Sequence, residues 1–339
     1  MTQQTSPALP PAPRLDVDYV AATDPARVLA DGHVLAVFGF GPDAPAHDDP
    51  RYLRVPLAPH GPHRFEVWRA RGPVETGRDG GVAWACDGEL QFGAIEIDEP
   101  ILDDDTDIRA AAREAYARLA DFLPRGGHPH LLRTWNYFDA ITAGEGDNER
   151  YRRFCVGRVE GLGGVQADAM PAATAIGSTD GVRRLQVYWL SSRVPGTPVG
   201  NPRQVDPWRY PRQYGPQSPS FARAMLPPAG SEMPLLLSGT AAIVGHDSRH
   251  ADAPLAQLDE LLANFDSLLA QARASRPALP AHFGAGSRLK VYVRDAADLP
   301  AVAAALDARL GDAVPRIVLH AAVCRRELAV EIDGVHDAG

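Results

Sequence analysis

An order of elements that runs twice through the chain constrains its fold more than any other feature. Segments with residue-by-residue alternation and many β-branched or aromatic side chains read as strands, and apolar residues three and four apart read as helices. The first run begins with GVAWACDGELQFGAIEI as strand. Thr106 then opens a helix with Ile108, Ala111, Ala115, Leu119 and Phe122 on one face. HLLRTWNYF follows as strand, NERYRRFCVGRVEGL as a helix closed by Gly163-Gly164, and PAATAIG and RRLQVYWLSS as strands. The second run begins with MPLLLSGTAAIVG and a helix that carries Leu255, Leu258, Leu262, Phe265 and Leu269 on one stripe. It continues through SRLKVYVRD, a helix with Asp298 as N-cap and Pro300 in its first turn, PRIVLHAAVC and ELAVEIDGV. Laid over one another, Gly93 meets Gly239, Pro171 meets Pro315, and Val187-Tyr188 falls on Val330-Glu331. The offset between the runs drifts by only a few residues, as it does in a diverged duplication.

The expected fold is therefore α/β, of the layered α+β kind: two diverged units, each a mixed sheet with two helices on one face. HVLAVFGFG, YLRVPLAP and HRFEVWRARG add strands ahead of the first unit, and the proline-rich Met1 to Arg14 reads as a disordered lead-in. The expected division is 1–195 for the N-terminal domain with lead-in and first, degenerate unit. Residues 196–230 form a Pro/Arg-rich substrate loop, and 231–339 the C-terminal unit.

Composition narrows the function. A formal net charge of -9 argues against nucleic acid, whose phosphates call for a basic footprint. There is no apolar run of bilayer length and no charged-then-apolar leader, so the expectation is a soluble cytoplasmic protein without membrane partners. Cys86, Cys155 and Cys324 have neither disulfide-framework nor zinc spacing. His246 and His250, with Asp247 between them, could pair on a metal, but no third ligand stands out. FGFG (Phe38 to Gly41) is too short for a dinucleotide loop, and no nucleophile-elbow or Walker-type sequence occurs.

The stretch NPRQVDPWRYPRQYGPQSPSFARA, Asn201 to Ala224, has too many prolines for a regular helix or central strand. It carries Arg203, Arg209, Arg212 and Arg223 against one acid, Asp206, with Trp208, Tyr210, Tyr214 and Phe221 interleaved. Stiff guanidinium forks suit capture of a small dicarboxylate; a surface linker with solvated arginines is the other reading. Glu331 lies in a strand with Leu328, Val330 and Ile332 on one face, so it is either solvent-exposed or lines a cleft. Cys324 could be a buried small hydrophobe or a site residue.

RTWNYF with ERYRRFCVGR, the long Pro/Arg stretch, SGTAAIVGH, and Cys324 with Glu331 together resemble the chorismatase family. The resemblance covers most of the chain from about Gly93, and RQYGPQSPSF is its most specific part. PRIVL followed by AVEIDGV also resembles the trimeric Rid/YjgF imine deaminases, in which an arginine and a glutamate spaced like Arg316 and Glu331 frame the pocket. The first resemblance implies cleavage of chorismate to pyruvate and a hydroxybenzoate. Glu331 would protonate the enolpyruvyl methylene, and Arg158, Arg203 and Arg223 with Tyr214 would hold the two carboxylates. Gly239, Thr240 and Ala241 would shape the pocket, and Cys324 points to the branch that makes 3-hydroxybenzoate, with 4-hydroxybenzoate as a second product. No cofactor is expected, because the reaction is redox-neutral and acid catalysis suffices. Alternative readings are a hydrolase yielding a dihydroxycyclohexadiene carboxylate, a Rid-type imine deaminase using Arg316 and Glu331, and a non-catalytic metabolite binder. A monomer is expected, its internal duplication standing in for contacts between subunits.

Overall fold

A computed structural model describes residues 15–22, 24–102, 105–164 and 169–337, so the expected lead-in lies outside the described residues. The chain opens with β1 (Leu15–Val20), a short helix α1 (Pro25–Leu29), β2 (Val34–Phe40), β3 (Tyr52–Val55), β4 (Ala58–His60) and β5 (Phe65–Ala70). A hairpin, β6 (Glu75–Asp79) and β7 (Val82–Cys86), leads to β8 (Leu90–Asp98) and a small ribbon, β9 (Ile101–Leu102) with β10 (Asp105–Thr106). Then come α2 (Ile108–Arg125), β11 (His130–Asp139), α3 (Arg150–Leu162), β12 (Ala172–Ser178) and β13 (Arg184–Ser192). The last part holds β14 (Thr197–Val199), β15 (Ala224–Leu226), β16 (Leu235–Ala241) and a ribbon of β17 (Ile243–Val244) and β18 (Asp247–Ser248). It ends with α4 (Pro254–Ser275), β19 (Arg288–Val293), α5 (Leu299–Leu310), β20 (Arg316–His320) and β21 (Val330–His336).

The expected duplication is visible in the sheets. One sheet runs β12-β11-β13-β8-β7-β6, and another runs β14-β15-β16-β21-β19-β20-β4. Within them β12-β11-β13-β8 and β20-β19-β21-β16 have the same order, with the first pair parallel and the next two antiparallel. A third, smaller copy precedes them. The N-terminal sheet, read β3-β2-β5-β1, repeats that order and pairing, with α1 as its one helix. The division at 196–230 follows no break in the fold, since β14 and β15 at the ends of that stretch belong to the same sheet as β16.

Strand register corrects the residue matching between the copies. Gln186 lies opposite Glu96 on β8 and Tyr137 on β11, while Glu331 lies opposite Ala241 on β16 and Tyr292 on β19. Gln186, two residues before Tyr188, therefore stands at Glu331's place. Irregularities at Leu131/Arg133 and Leu237/Thr240 shift the register in ways that a linear offset does not capture.

Helices α2 and α3 cover one outer face, with Ile108, Ala111, Ala115, Leu119 and Phe122 all buried as expected. Asp107, not Thr106, caps α2, accepting from the amides of Arg109 and Ala110; Gly163 ends α3 with left-handed φ 67°. On α4 the buried stripe is Leu258, Leu261, Phe265, Leu268 and Leu269, while Leu255 is exposed. Asp298, the last residue of a single 3-10 turn (Ala296–Asp298), stands at the expected N-cap position of α5, although its side chain makes no capping hydrogen bond.

The inner faces of the three sheets meet in an aromatic core that includes Trp68, Phe92, Trp135, Tyr137, Tyr188 and Tyr292. Charges are buried inside it. Lys290 Nζ donates to Glu66 at 3.1 Å, and the same carboxylate accepts from Trp68 Nε1 at 2.7 Å. Burial alone would pull the Lys290 ammonium down, but Glu66 and Asp333 outweigh it and hold its pKa above the usual lysine range. Glu66 comes from the first copy and Lys290 from the third, so this pair joins the two ends of the chain. Lys290→Met should strand the Glu66 carboxylate and cost ~3–5 kcal/mol in urea unfolding. Adding Glu66→Gln should restore much of that loss; equal instability of the single and double variants would contradict the pairing.

Candidate active site

Between β12 and α3 on one side and β16 and β21 on the other lies a cleft of about 420 Å³. Alternation along β21 turns Val330 and Ile332 toward the helices and leaves Glu331 and Asp333 on the opposite face. Glu331 lines the cleft, is only 5% exposed, and accepts no side-chain hydrogen bond among the described residues. Gly239 on β16 makes room for it: a Cβ there would sit 2.0 Å from Glu331 Oε1. The Gly239 amide is itself held, donating to Thr174 Oγ1 at 3.0 Å.

Asp333, on the same face, is surrounded by donors. Its Oδ2 accepts from Thr174 Oγ1 (2.7 Å), Tyr292 OH (2.9 Å) and Trp135 Nε1 (3.1 Å), and lies 3.3 Å from Arg133. Burial raises the Glu331 pKa most, the Asp333 charge raises it further, and Arg133 and Arg223 oppose both; the result is about 8. Glu331 keeps its proton at neutral pH.

Two guanidiniums face this acid from separate elements. Arg158, on α3, is 4% exposed, and its Nε and Nη2 are buried without a hydrogen-bond partner among the described residues. Its guanidinium lies 5.0 Å over the Tyr116 ring. Arg223, just before β15, donates from Nη2 to Val205 O (2.9 Å) and Tyr210 OH (2.7 Å), while its Nε has no partner among the described residues. Buried cations with unused donors on two sides of a cleft suit an anion with two negative ends. Burial and the adjacent Glu331 push the Cys324 thiol well up, so it is a neutral wall of the cleft and not a thiolate nucleophile.

Of the residues singled out in the sequence, Glu331, Cys324, Arg158, Tyr214, Arg223, Gly239 and Ala241 line this one cleft. Three do not. Arg203 is taken up by an ion pair with Glu260 of α4. Arg316, at the start of β20, pairs with Asp307 of α5 and donates to the carbonyls of Gly311 and Val314. Thr240 is paired with Ile332 on the helix-facing side and donates its hydroxyl to Ser238 O. Sequence reasoning missed Arg325. Its guanidinium lies 4.1 Å over the Tyr214 ring and 5.3 Å over Tyr210, and it donates to His246 O and Ser248 Oγ. Its place beside Cys324 was the available signal. His246 contacts Tyr214 OH and Asp247 while His250 contacts Glu260, so the two histidines have separate partners. No group of three or more potential metal ligands occurs among the described residues.

Residues 66–191 match the family model described as Chorismatase FkbO/Hyg5-like, N-terminal. A chorismatase of Streptomyces rapamycinicus is 36% identical over 279 residues, 80% of this chain and 81% of the relative. A 3-hydroxybenzoate synthase of Streptomyces hygroscopicus is 33% identical over 289 residues, 82% of this chain and 83% of the relative. A chorismatase crystal structure, 32% identical, superposes with TM-score 0.81 over 96% of this chain and 98% of the other. The chain belongs to the chorismatase family.

Proposed function

We propose that this protein cleaves chorismate to pyruvate and 3-hydroxybenzoate, with 4-hydroxybenzoate as a second product. The observation that carries the reading is Glu331: a buried carboxyl that accepts no side-chain hydrogen bond among the described residues, still protonated near neutral pH, in a cleft with two arginines whose donors are incompletely paired among those residues. Arg158 and Arg223 between them hold the two carboxylates of the substrate, and Tyr214, Gly239 and Ala241 shape the seat. Glu331 delivers its proton to the terminal methylene carbon of the enol ether. In the diol outcome water adds to the resulting oxocarbenium carbon, and the hemiketal collapses by breaking that carbon's bond to the ether oxygen, which stays on the ring. In the aromatic outcome the neighbouring ring hydroxyl displaces pyruvate at the ring carbon: the ring carbon–ether oxygen bond breaks, the ether oxygen leaves as the keto oxygen of pyruvate, and the hydroxyl proton returns to the Glu331 carboxylate. The epoxide so formed then opens, with migration and loss of a ring hydrogen, to the phenol. Chorismate has the atoms of a hydroxybenzoate plus pyruvic acid, so this outcome consumes no net water, oxidant or reductant. The diol outcome needs one water. Cys324, a neutral thiol, acts by occupying space near Glu331, and the similarity to a relative named 3-hydroxybenzoate synthase supports the aromatic branch. We read the protein as a cytoplasmic monomeric lyase; no helix among the described residues is long and apolar enough to cross a membrane. The imine-deaminase reading loses its arginine, because Arg316 is held by Asp307.

Glu331→Gln should bind chorismate with nearly unchanged affinity and lose roughly 10²–10⁴-fold in turnover. Undiminished turnover would remove Glu331 from the acid's role. Since the proton must be present, kcat should be flat below about pH 8 and fall tenfold per unit above it; a rate that climbs through that range would contradict acid catalysis by this group. Chromatography of a chorismate digest should yield pyruvate with 3-hydroxybenzoate, and a non-aromatic diol as sole ring product would overturn the branch assignment.

A further inference from the structure

The third strand of the N-terminal copy, β3, stands against the β8–β13 pair of the second copy and leaves a cleft of about 550 Å³. It occupies the same place in the second copy that the catalytic cleft occupies in the third. There β12 of the preceding copy stands against β16 and β21. Gln186, in register with Glu331, lines this other cleft together with Glu96 and Tyr137. We propose that it is a second small-molecule site, which binds a single-ring monocarboxylate carrying a hydroxyl group and does not cleave it.

The polar groups define the ligand. Gln186 is 6% exposed; its Nε2 donates to Arg54 O and Glu96 Oε1, both at 2.8 Å, and its Oε1 is buried without a partner among the described residues. An acceptor in that state calls for a hydroxyl or other donor from a ligand. Arg54 and Arg78 also line the cleft. Arg54 donates to the carbonyl of Pro42 and Arg78 to that of Asp48, and neither joins an ion pair among the described residues. Arg184 is committed to Asp98. The acids Asp48, Glu96 and Asp180 share the walls, so two available guanidiniums seat one negative end while a dianion such as chorismate is repelled. Tyr52, Leu53 and Val182 add apolar surface for a ring, and the volume lies within the range of small-molecule pockets. An amide replaces the acid of the other cleft, so no group at that position delivers a proton to carbon.

Equilibrium dialysis of the full chain with 3-hydroxybenzoate, a ligand of the required shape, tests the site directly and independently of turnover. One bound equivalent should survive Arg158→Met, which disables the catalytic cleft. It should weaken roughly tenfold or more in Gln186→Leu and in the Arg54→Ala/Arg78→Ala double variant. Both variants should cleave chorismate at the wild-type rate. The double variant changes only exposed side chains, so its result decides the matter if Gln186→Leu folds poorly. The proposal fails if no equivalent survives Arg158→Met at millimolar ligand, or if the surviving one is unaffected by the double variant.

Discussion

A single buried carboxylate, Asp333, sets the conditions for the rest of the molecule. Three neutral donors and the Arg133 guanidinium converge on it, from β11 and β12 of the second copy and β19 of the third. Leaving any of those donors unpaired inside the aromatic core would be costly, so the network fixes how the two sheets meet. It also acts on the chemistry. Glu331 is two residues away on the same strand face, receives no comparable donors, and feels the Asp333 charge. Ionising Glu331 would place a second negative charge beside one already stabilised, in a space that water scarcely reaches.

The threefold recurrence of one strand order explains where that arrangement can occur. The second and third copies each present a strand pair to a strand of the copy before them, which creates equivalent clefts at the two junctions. Divergence then works by side chain. At corresponding positions the second copy has Gln186 and the third has Glu331, one a neutral amide and the other an acid. Placing all copies in one chain lets these positions change independently, which identical subunits of a homotrimer could not do.

Much of this was legible in the sequence because periodicity is local. The two large copies could be read from strand and helix patterns alone, and Gly163, Leu119 and Phe122 sit where those patterns put them. The N-terminal copy escaped because its helix has five residues and its second helix is replaced by the chain between β2 and β3. The arginines were the harder problem. A guanidinium takes whichever carboxylate the fold brings near, and the sequence does not say that Glu260 reaches Arg203, that Asp307 reaches Arg316, or that Asp147 reaches Arg212. Of the four arginines in the proline-rich stretch only Arg223 lines the cleft.

That stretch nevertheless governs the acid, by excluding water. Its two single-turn helices, Pro207–Arg209 and Arg212–Tyr214, set Tyr210 and Tyr214 at the cleft, where both rings lie beneath the Arg325 guanidinium. Arg212 reaches across to Asp147, and Arg326 donates to the carbonyls of Thr142 and Gly144, so loops from two copies are tied together at the mouth. Individually, such exposed contacts add little stability. Their effect here is geometric, because burial is the leading reason that Glu331 retains its proton. A mouth that opened to solvent would weaken that cause and give Arg133 and Arg223 greater relative weight, drawing the carboxyl toward ionisation. The prolines that hold the loop and the carboxyl beneath it are therefore parts of one device, in which the stiffness of the backbone helps set the acidity of the site.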